Sequence, residues 1–250
     1  RLDAHRRLCG IGLSKGIEAH MLSASEVADL VSLVDPSTIA GGHAIPSSGV
    51  VQTSLIATSM RQIAEATGRA RFFGHSEATD IDVADGRIVS VRTNGEAGTI
   101  RCQQAIVCTN IWAPLLAEKT GTVMPLFPGE HQYIYTDPVP AVTDIAHHQV
   151  AFPVTAFDDL SIYFRQHGDH IGIGSYAHPA RLVDPTALPK TAKLPFTPDD
   201  FAGAWDTMQH HMPALRESSI ADGFNGMFSF TVDDHPILGE TNVTGLWAAV

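Results

Sequence analysis

The stretch Leu160-Ser161-Ile162-Tyr163-Phe164-Arg165-Gln166-His167-Gly168-Asp169-His170-Ile171-Gly172-Ile173-Gly174-Ser175-Tyr176 decides the fold. Leu160–Gln166 and His170–Tyr176 read as two strands joined at His167-Gly168-Asp169, because glycine and aspartate suit a tight turn. Gln132–Asp137 reads as another long strand. Together they predict an antiparallel sheet with one apolar face. Downstream, Thr197-Pro198-Asp199-Asp200 starts a helix, with a capping hydroxyl, a first-turn proline and acids against the positive end. Phe201, Trp205, Met208 and Met212 form its buried stripe, and Pro213 closes it.

Upstream the pattern differs. Residues 1–34 carry two helical patterns, the second opened by Ser23 with Glu26 three residues on, a capping-box spacing, and ended by Asp35-Pro36. Gly41–Gly49 is a turn-rich connector. From Thr53 to Thr67, Ile56, Met60, Ile63 and Ala64 fall at helical spacing, and Gly68 sits where a C-terminal cap belongs. Strands then alternate with turn dipeptides: Asp85-Gly86 and Asn94-Gly95 are hairpin signals, and Ala105-Ile106-Val107-Cys108 reads as a strand buried on both faces. A helix, a β-meander and a buried strand with a turn at Thr109-Asn110 is the order expected inside a larger nucleotide-binding α/β domain.

Composition removes several classes of function. Hydrophobic residues make up 44% of the 250 residues and charged ones 17%, enough for a sizeable core and too apolar for a disordered chain. Lys+Arg 16 against Asp+Glu 27 gives −11, which argues against nucleic acid and against an anionic membrane surface. Cys9, Cys102 and Cys108 form no CxxC pair, so a reducing, cytoplasmic setting is expected. No apolar run approaches about 18 residues, the length a spanning helix needs. Arg1 at the start and the apolar run Gly245–Val250 at the end read as cut edges, so the chain is expected to be a piece of a longer protein.

Thirteen histidines invite a metal, but His147-His148 and His210-His211 are adjacent pairs, and no HExxH or facial-triad spacing occurs, so no metal is expected. No GxSxG elbow is present. More informative is Pro128-Gly129-Glu130-His131-Gln132-Tyr133 at the mouth of a strand. If its strand neighbours the one bearing Tyr163, an imidazole and a phenol converge on one side of a pocket, supplying a base or electrostatic group and a hydrogen-bond donor.

Pro128–Tyr133, Tyr163–His178 and Asp222–Thr231 resemble the dimethylglycine oxidase branch of the FAD-dependent amine oxidoreductases. This is the D-amino acid oxidase superfamily, which also holds sarcosine dehydrogenase and glycine oxidase. The resemblance implies an α+β fold in two interleaved parts: a split, incomplete FAD-binding part and a substrate domain whose large antiparallel sheet is covered by helices. It places residues 1–45 and 117–222 in the substrate domain and 46–116 and 223–250 in the FAD-binding part. It implies FAD as cofactor and oxidative demethylation of a small N-methylated glycine-type amino acid, dimethylglycine or sarcosine, by hydride transfer. Folate-binding domains are implied further along the protein. His131 corresponds to a substrate-contacting histidine and Tyr163 to a tyrosine lining the pocket near the flavin. Ala78 falls where a backbone binds the adenine end of FAD. Asn110 replaces the glycine of a cofactor-binding turn that also holds Trp112, and asparagine is the next-best residue for positive φ. Phe228 stands where glycine oxidase has a carboxylate-binding arginine, so that position is not expected to recognise a carboxylate. A catalytically inactive relative serving as a binding or regulatory subunit is the alternative. Alone, the segment is expected to expose core that other parts of the protein cover, and to be inactive.

Overall fold

The computed structural model describes residues 2–250. In chain order, α1 (Leu2–Ser14), β1 (His20–Leu22), α2 (Ala24–Leu30), β2 (Gly42–Ala44) and α3 (Thr53–Ala66) come first. β3 (Ala78–Ala84), β4 (Arg87–Thr93), β5 (Thr99–Arg101), β6 (Ala105–Val107) and α4 (Ala113–Glu118) follow. Next are β7 (Leu126–Thr136), β8 (Thr155–Phe157), β9 (Ile162–His167), β10 (His170–Ser175) and β11 (Lys193–Pro195). α5 (Pro198–His211), β12 (Ile220–Thr231), β13 (Leu238–Glu240) and β14 (Leu246–Ala249) complete the order. The chain divides into two compact units. One holds the residues up to Val50, His131–Pro179 and Lys193–Gly226; the other holds Val51–Glu130, Ala180–Ala192 and Met227–Val250.

The first unit is built on a six-stranded sheet in the order β11-β12-β7-β10-β9-β8. β10 pairs antiparallel with both β7 and β9, and His167 opposes His170 across a two-residue turn in which Gly168 has φ +67°. Ile134, Ile162, Phe164, Ile171 and Ile173 point to one face and form a single core with Val31, Val34 and the α5 residues Phe201, Ala204 and Met208. Each such fully buried side chain contributes roughly 1.5–3 kcal/mol through removal from water. Because side chains alternate along a strand, Tyr133, Tyr135, Tyr163, Arg165 and His167 project from the opposite face. That face is half-exposed. The expected antiparallel sheet with one apolar face is therefore present, with helix α5 covering it.

Two helix starts contrast. Ser23 and Glu26 form the expected capping box: Ser23 N–H donates to Glu26 Oε2 at 2.7 Å, and Glu26 N–H to Ser23 Oγ at 3.3 Å. Thr197, expected to cap α5 with its hydroxyl, does not. Its Oγ1 instead accepts a hydrogen bond from the buried Gln132 amide at 2.6 Å and a longer one from Asn225 at 3.4 Å.

In the second unit, β3, β4 and β5 form an antiparallel meander. Asp85 and Gly86, with φ +51° and +73°, make the expected tight turn between β3 and β4. The turn at Asn94-Gly95 is longer than a two-residue hairpin: Thr93 N–H donates to Gly98 O at 2.9 Å. The Asn94 carboxamide is engaged elsewhere, accepting from the Glu77 N–H at 3.0 Å. β13, β14 and β6 form a second sheet, with β6 parallel to β14. Within the described residues β6 is covered on one face only. It is an edge strand, with Val107 in the core beside Ile81, Ile88 and Leu246 while Ile106 is 64% exposed. Helix α3 also buries none of its residues, leaving Met60 and Ile63 at 66% and 70% exposure. Among the described residues no helix is long and apolar enough to cross a membrane.

Candidate active site

The half-exposed face of the six-stranded sheet gathers most of the aromatic hydroxyls of the first unit. His131 and Tyr163 meet there, with Nε2 of the imidazole 2.8 Å from the phenol oxygen. Their strands are not neighbours, contrary to the arrangement posed from sequence, because β10 runs between β7 and β9. Two strand spacings, about 9.5 Å, separate the flanking backbones. The gap is closed over Gly174, which opposes Tyr133 on one side and Tyr163 on the other. A Cβ at Gly174 would collide with the Tyr163 ring, and one at Gly172 with the Tyr133 hydroxyl and the His167 imidazole. The alternating glycines of β10 make a flat floor on which these side chains lie.

The imidazole of His131 is 2% exposed and stacks on Tyr176, with ring centroids 3.8 Å apart and planes 28° from parallel. Its pKa is lowered to about 4, chiefly by burial and then by the His178 imidazole. Tyr163 is pushed up to about 12 by burial, with Tyr176 adding to it. Both groups are therefore neutral at ordinary pH. The hydrogen bond between them runs in either direction according to the histidine tautomer. Beside them lies a second pair, the Tyr133 hydroxyl 3.0 Å from His167 Nε2, with the Tyr133 and Tyr163 ring centroids 6.0 Å apart. Burial raises the Tyr133 pKa, and burial followed by the Arg165 charge lowers His167 to about 4. Phe224 extends the wall, 6.0 Å from Tyr133 and under the Lys193 ammonium at 4.0 Å.

Three sequence-selected residues, Ala78, Asn110 and Trp112, lie in the second unit. Asn110 follows β6 and has φ +48°, the left-handed turn that its replacement of glycine requires. The Thr109 hydroxyl beside it is buried and has no hydrogen-bond partner among the described residues. Trp112 closes the following 3-10 turn. Ala78 opens β3 where the pairing slips between Ala78 and Asp80, so that its backbone borders an irregular stretch. An unsatisfied buried hydroxyl at a left-handed turn and an interrupted strand edge suit hydrogen bonding to a dinucleotide, so these residues fit the FAD groups the resemblance assigns to them. Phe228 offers no cation and faces Phe230, with centroids 6.4 Å apart. Among the described residues no group of three His, Cys, Asp or Glu is placed to hold a metal.

Sequence reasoning missed Gly172, Gly174, Tyr133, Tyr176 and His167. A Gly-x-Gly run inside a strand was the available signal, since glycine in a strand interior marks a close approach by another group.

A large antiparallel sheet backed by helices, joined in sequence to a second unit with a parallel strand pair, is the fold of FAD-dependent amino-acid oxidases and dehydrogenases. L-proline dehydrogenase from P. horikoshii superimposes with a TM-score of 0.82 at 21% identity, over 99% of this chain and 63% of that one. Glycine oxidase from Geobacillus kaustophilus does so with a TM-score of 0.74 at 18% identity, over 99% and 61%. The chain belongs to the DAO family of FAD dependent oxidoreductases, whose sequence profile matches residues 1–250. It is similar to mitochondrial sarcosine dehydrogenase of Mus musculus, 27% identical over 96% of this chain and 26% of that protein. It is also similar to 4-methylaminobutanoate oxidase (formaldehyde-forming) of Paenarthrobacter nicotinovorans, 24% identical over 91% of this chain and 27% of that protein. The chain thus spans about a quarter of the length of these relatives.

Proposed function

We propose that the protein containing this chain oxidises an N-methylated glycine-type amino acid, dimethylglycine or sarcosine, at its C–N bond, with His131 and Tyr163 forming the catalytic wall against the amine. The observation that carries this reading is the 2.8 Å His131–Tyr163 contact on a wall of neutral rings. The names of the two curated relatives support the substrate class, since both act on amino acids bearing an N-methyl group. Ala78, Asn110 and Trp112 would hold FAD, and Tyr163 would border it. Bound FAD supplies a two-electron acceptor for the hydride of the N-methyl carbon, after which the iminium is open to hydrolysis. Three free cysteines fit a reducing compartment, cytoplasmic in this proposal.

The wall acts on the protonation of the substrate. Only a free amine has a lone pair to assist departure of the hydride. With an imidazole that stays neutral above about pH 4 and a phenol that keeps its proton to about 12, the wall offers no anion to an ammonium group. Burying the charged form against it is costly, so the free amine is favoured. Where Tyr163 donates to His131 Nε2, its oxygen lone pairs remain to orient the amine N–H of sarcosine, which the tertiary amine of dimethylglycine lacks; in the other tautomer its proton is free to donate to the amine of either.

The test is rapid-reaction flavin reduction in the full-length, FAD-loaded protein. In His131→Asn, water fills the vacated space and solvates the ammonium, so the pH midpoint for reduction should move up by about one unit. Substrate affinity should change by less than about threefold, a small free-energy difference. An unmoved midpoint would refute the role of His131. Absence of any bleaching by either amino acid would refute the reading.

A further inference from the structure

Arg165 stands on β9 two residues from Tyr163, so it projects from the same half-exposed sheet face. Its Nε lies 3.0 Å from His167 Nε2 and its Nη2 lies 3.2 Å from His167 Nδ1, while the Tyr133 hydroxyl also lies 3.0 Å from His167 Nε2. A guanidinium has five N–H donors and no acceptor, whereas a neutral imidazole has a single acceptor lone pair. The guanidinium thus meets both ring nitrogens of an imidazole that can accept at only one of them, so most of the guanidinium donors are left over. Among the described residues no Asp or Glu forms an ion pair with Arg165. That is notable in a chain with 27 acidic residues against 16 basic ones. A half-buried cation with no ion pair to a carboxylate among the described residues, on the same face as the Tyr133 hydroxyl, is open to an anion from outside.

We propose that Arg165 is the carboxylate anchor of the substrate, with the Tyr133 hydroxyl as second donor and His167 holding the guanidinium in place. This rests on the proposed oxidation of an amino acid and deepens it: the acid end is gripped at Arg165 while the amine lies against His131 and Tyr163. The planar fork of arginine matches the two oxygens of a carboxylate. In a chain of net charge −11, a guanidinium on this face offsets repulsion of an anionic substrate.

The test measures equilibrium binding, by calorimetry on the full-length FAD-loaded protein, of the thioether acid (methylthio)acetate and of its uncharged amide, 2-(methylthio)acetamide. The thioether mimics the neutral amine but has no nitrogen to oxidise. Arg165→Gln should weaken the acid by about 10- to 100-fold, the usual scale for a lost charge-assisted contact, and leave the amide within about twofold. Arg165→Lys should recover part of the loss and serves if the glutamine variant is poorly folded, with the flavin spectrum and melting midpoint reporting the fold. Tyr133→Phe should weaken the acid by a smaller factor. Equal loss of acid and amide would assign Arg165 a structural role only, and unchanged binding of the acid would overturn the proposal. Flavin bleaching by dimethylglycine in the wild type, with the acid preference unaltered in Arg165→Gln, would sink the anchor alone. Loss of the acid preference without any bleaching in the wild type would sink the oxidation reading instead.

Discussion

Gly174 holds the candidate site together without contributing an atom to its chemistry. Its neighbours across both ladders are tyrosines, and the Tyr163 ring occupies the volume a Cβ would need. The backbone of Gly174 is not among those with positive φ, so alanine there meets no conformational penalty and acts only through the ring. Gly174→Ala should push Tyr163 off β10, break its bond to His131 and cost about 1–3 kcal/mol as an overpacked site. In a Tyr163→Ala background the same change should cost little, because the clash is gone. A double-mutant cycle by thermal or denaturant unfolding of the full-length protein reads this directly. Additive costs would mean that the glycine serves something other than the tyrosine. His131 and Tyr163 themselves were legible as residues, but the surface that joins them was not. Their meeting depends on what is missing from the strand between, and an absent side chain is a weak sequence signal.

Among elements, the hairpin β9–β10 was written locally, in Gly168-Asp169 between two apolar strands, and the structure forms it there. Sheet order was not. Which strand of that hairpin lies against β7 is set by long-range pairing, and the answer is β10. β6 shows the same limit: four apolar residues in a row do not say whether a neighbour covers the second face, and Ile106 is left open. The N-terminus of α5 illustrates competition between local and distant demands. Thr-Pro-Asp-Asp is a sound capping signal, worth about 1 kcal/mol. Yet Gln132 and Asn225 are each 1% exposed behind the sheet, and a buried amide without a partner costs about 1–3 kcal/mol. The hydroxyl of Thr197 goes to them, while the Thr197 backbone still starts the helix by accepting from Asp200 N–H at 3.2 Å. Thr197→Val, which keeps the shape and removes the acceptor, should therefore destabilise the full-length protein by about 1–3 kcal/mol. Thr197→Ser should cost far less. Denaturant midpoints of the two variants check this, and equal midpoints would return Thr197 to an ordinary helix start.

At the scale of the molecule, the two units differ in how completely they enclose their apolar residues. The first closes its core between sheet and α5, with Phe164, Phe201, Ile173 and Met208 at 1% exposure or less. The second has a compact core around Ile81, Val107 and Leu246, but Leu55, Ile56, Met60 and Ile63 of α3 remain open to solvent, as does Ile106 of β6. Apolar side chains left open along a helix favour association in water. A chain of net charge −11 gains some protection by self-repulsion, which salt removes. Expressed as these 250 residues, the chain should therefore self-associate increasingly with concentration and with salt, and should bind FAD weakly. Met60→Glu combined with Ile63→Lys should suppress association without lowering the melting midpoint, since neither side chain is buried here. Sedimentation at several concentrations, with FAD titration alongside, checks both points. A monomer at all concentrations that binds one FAD and melts cooperatively would show that this apolar surface needs no cover. If the chain associates as expected, the same double substitution in the full-length protein becomes informative. A fall in its melting midpoint there would mean that the α3 stripe is buried in the complete protein, and an unchanged midpoint would mean that it faces solvent even then.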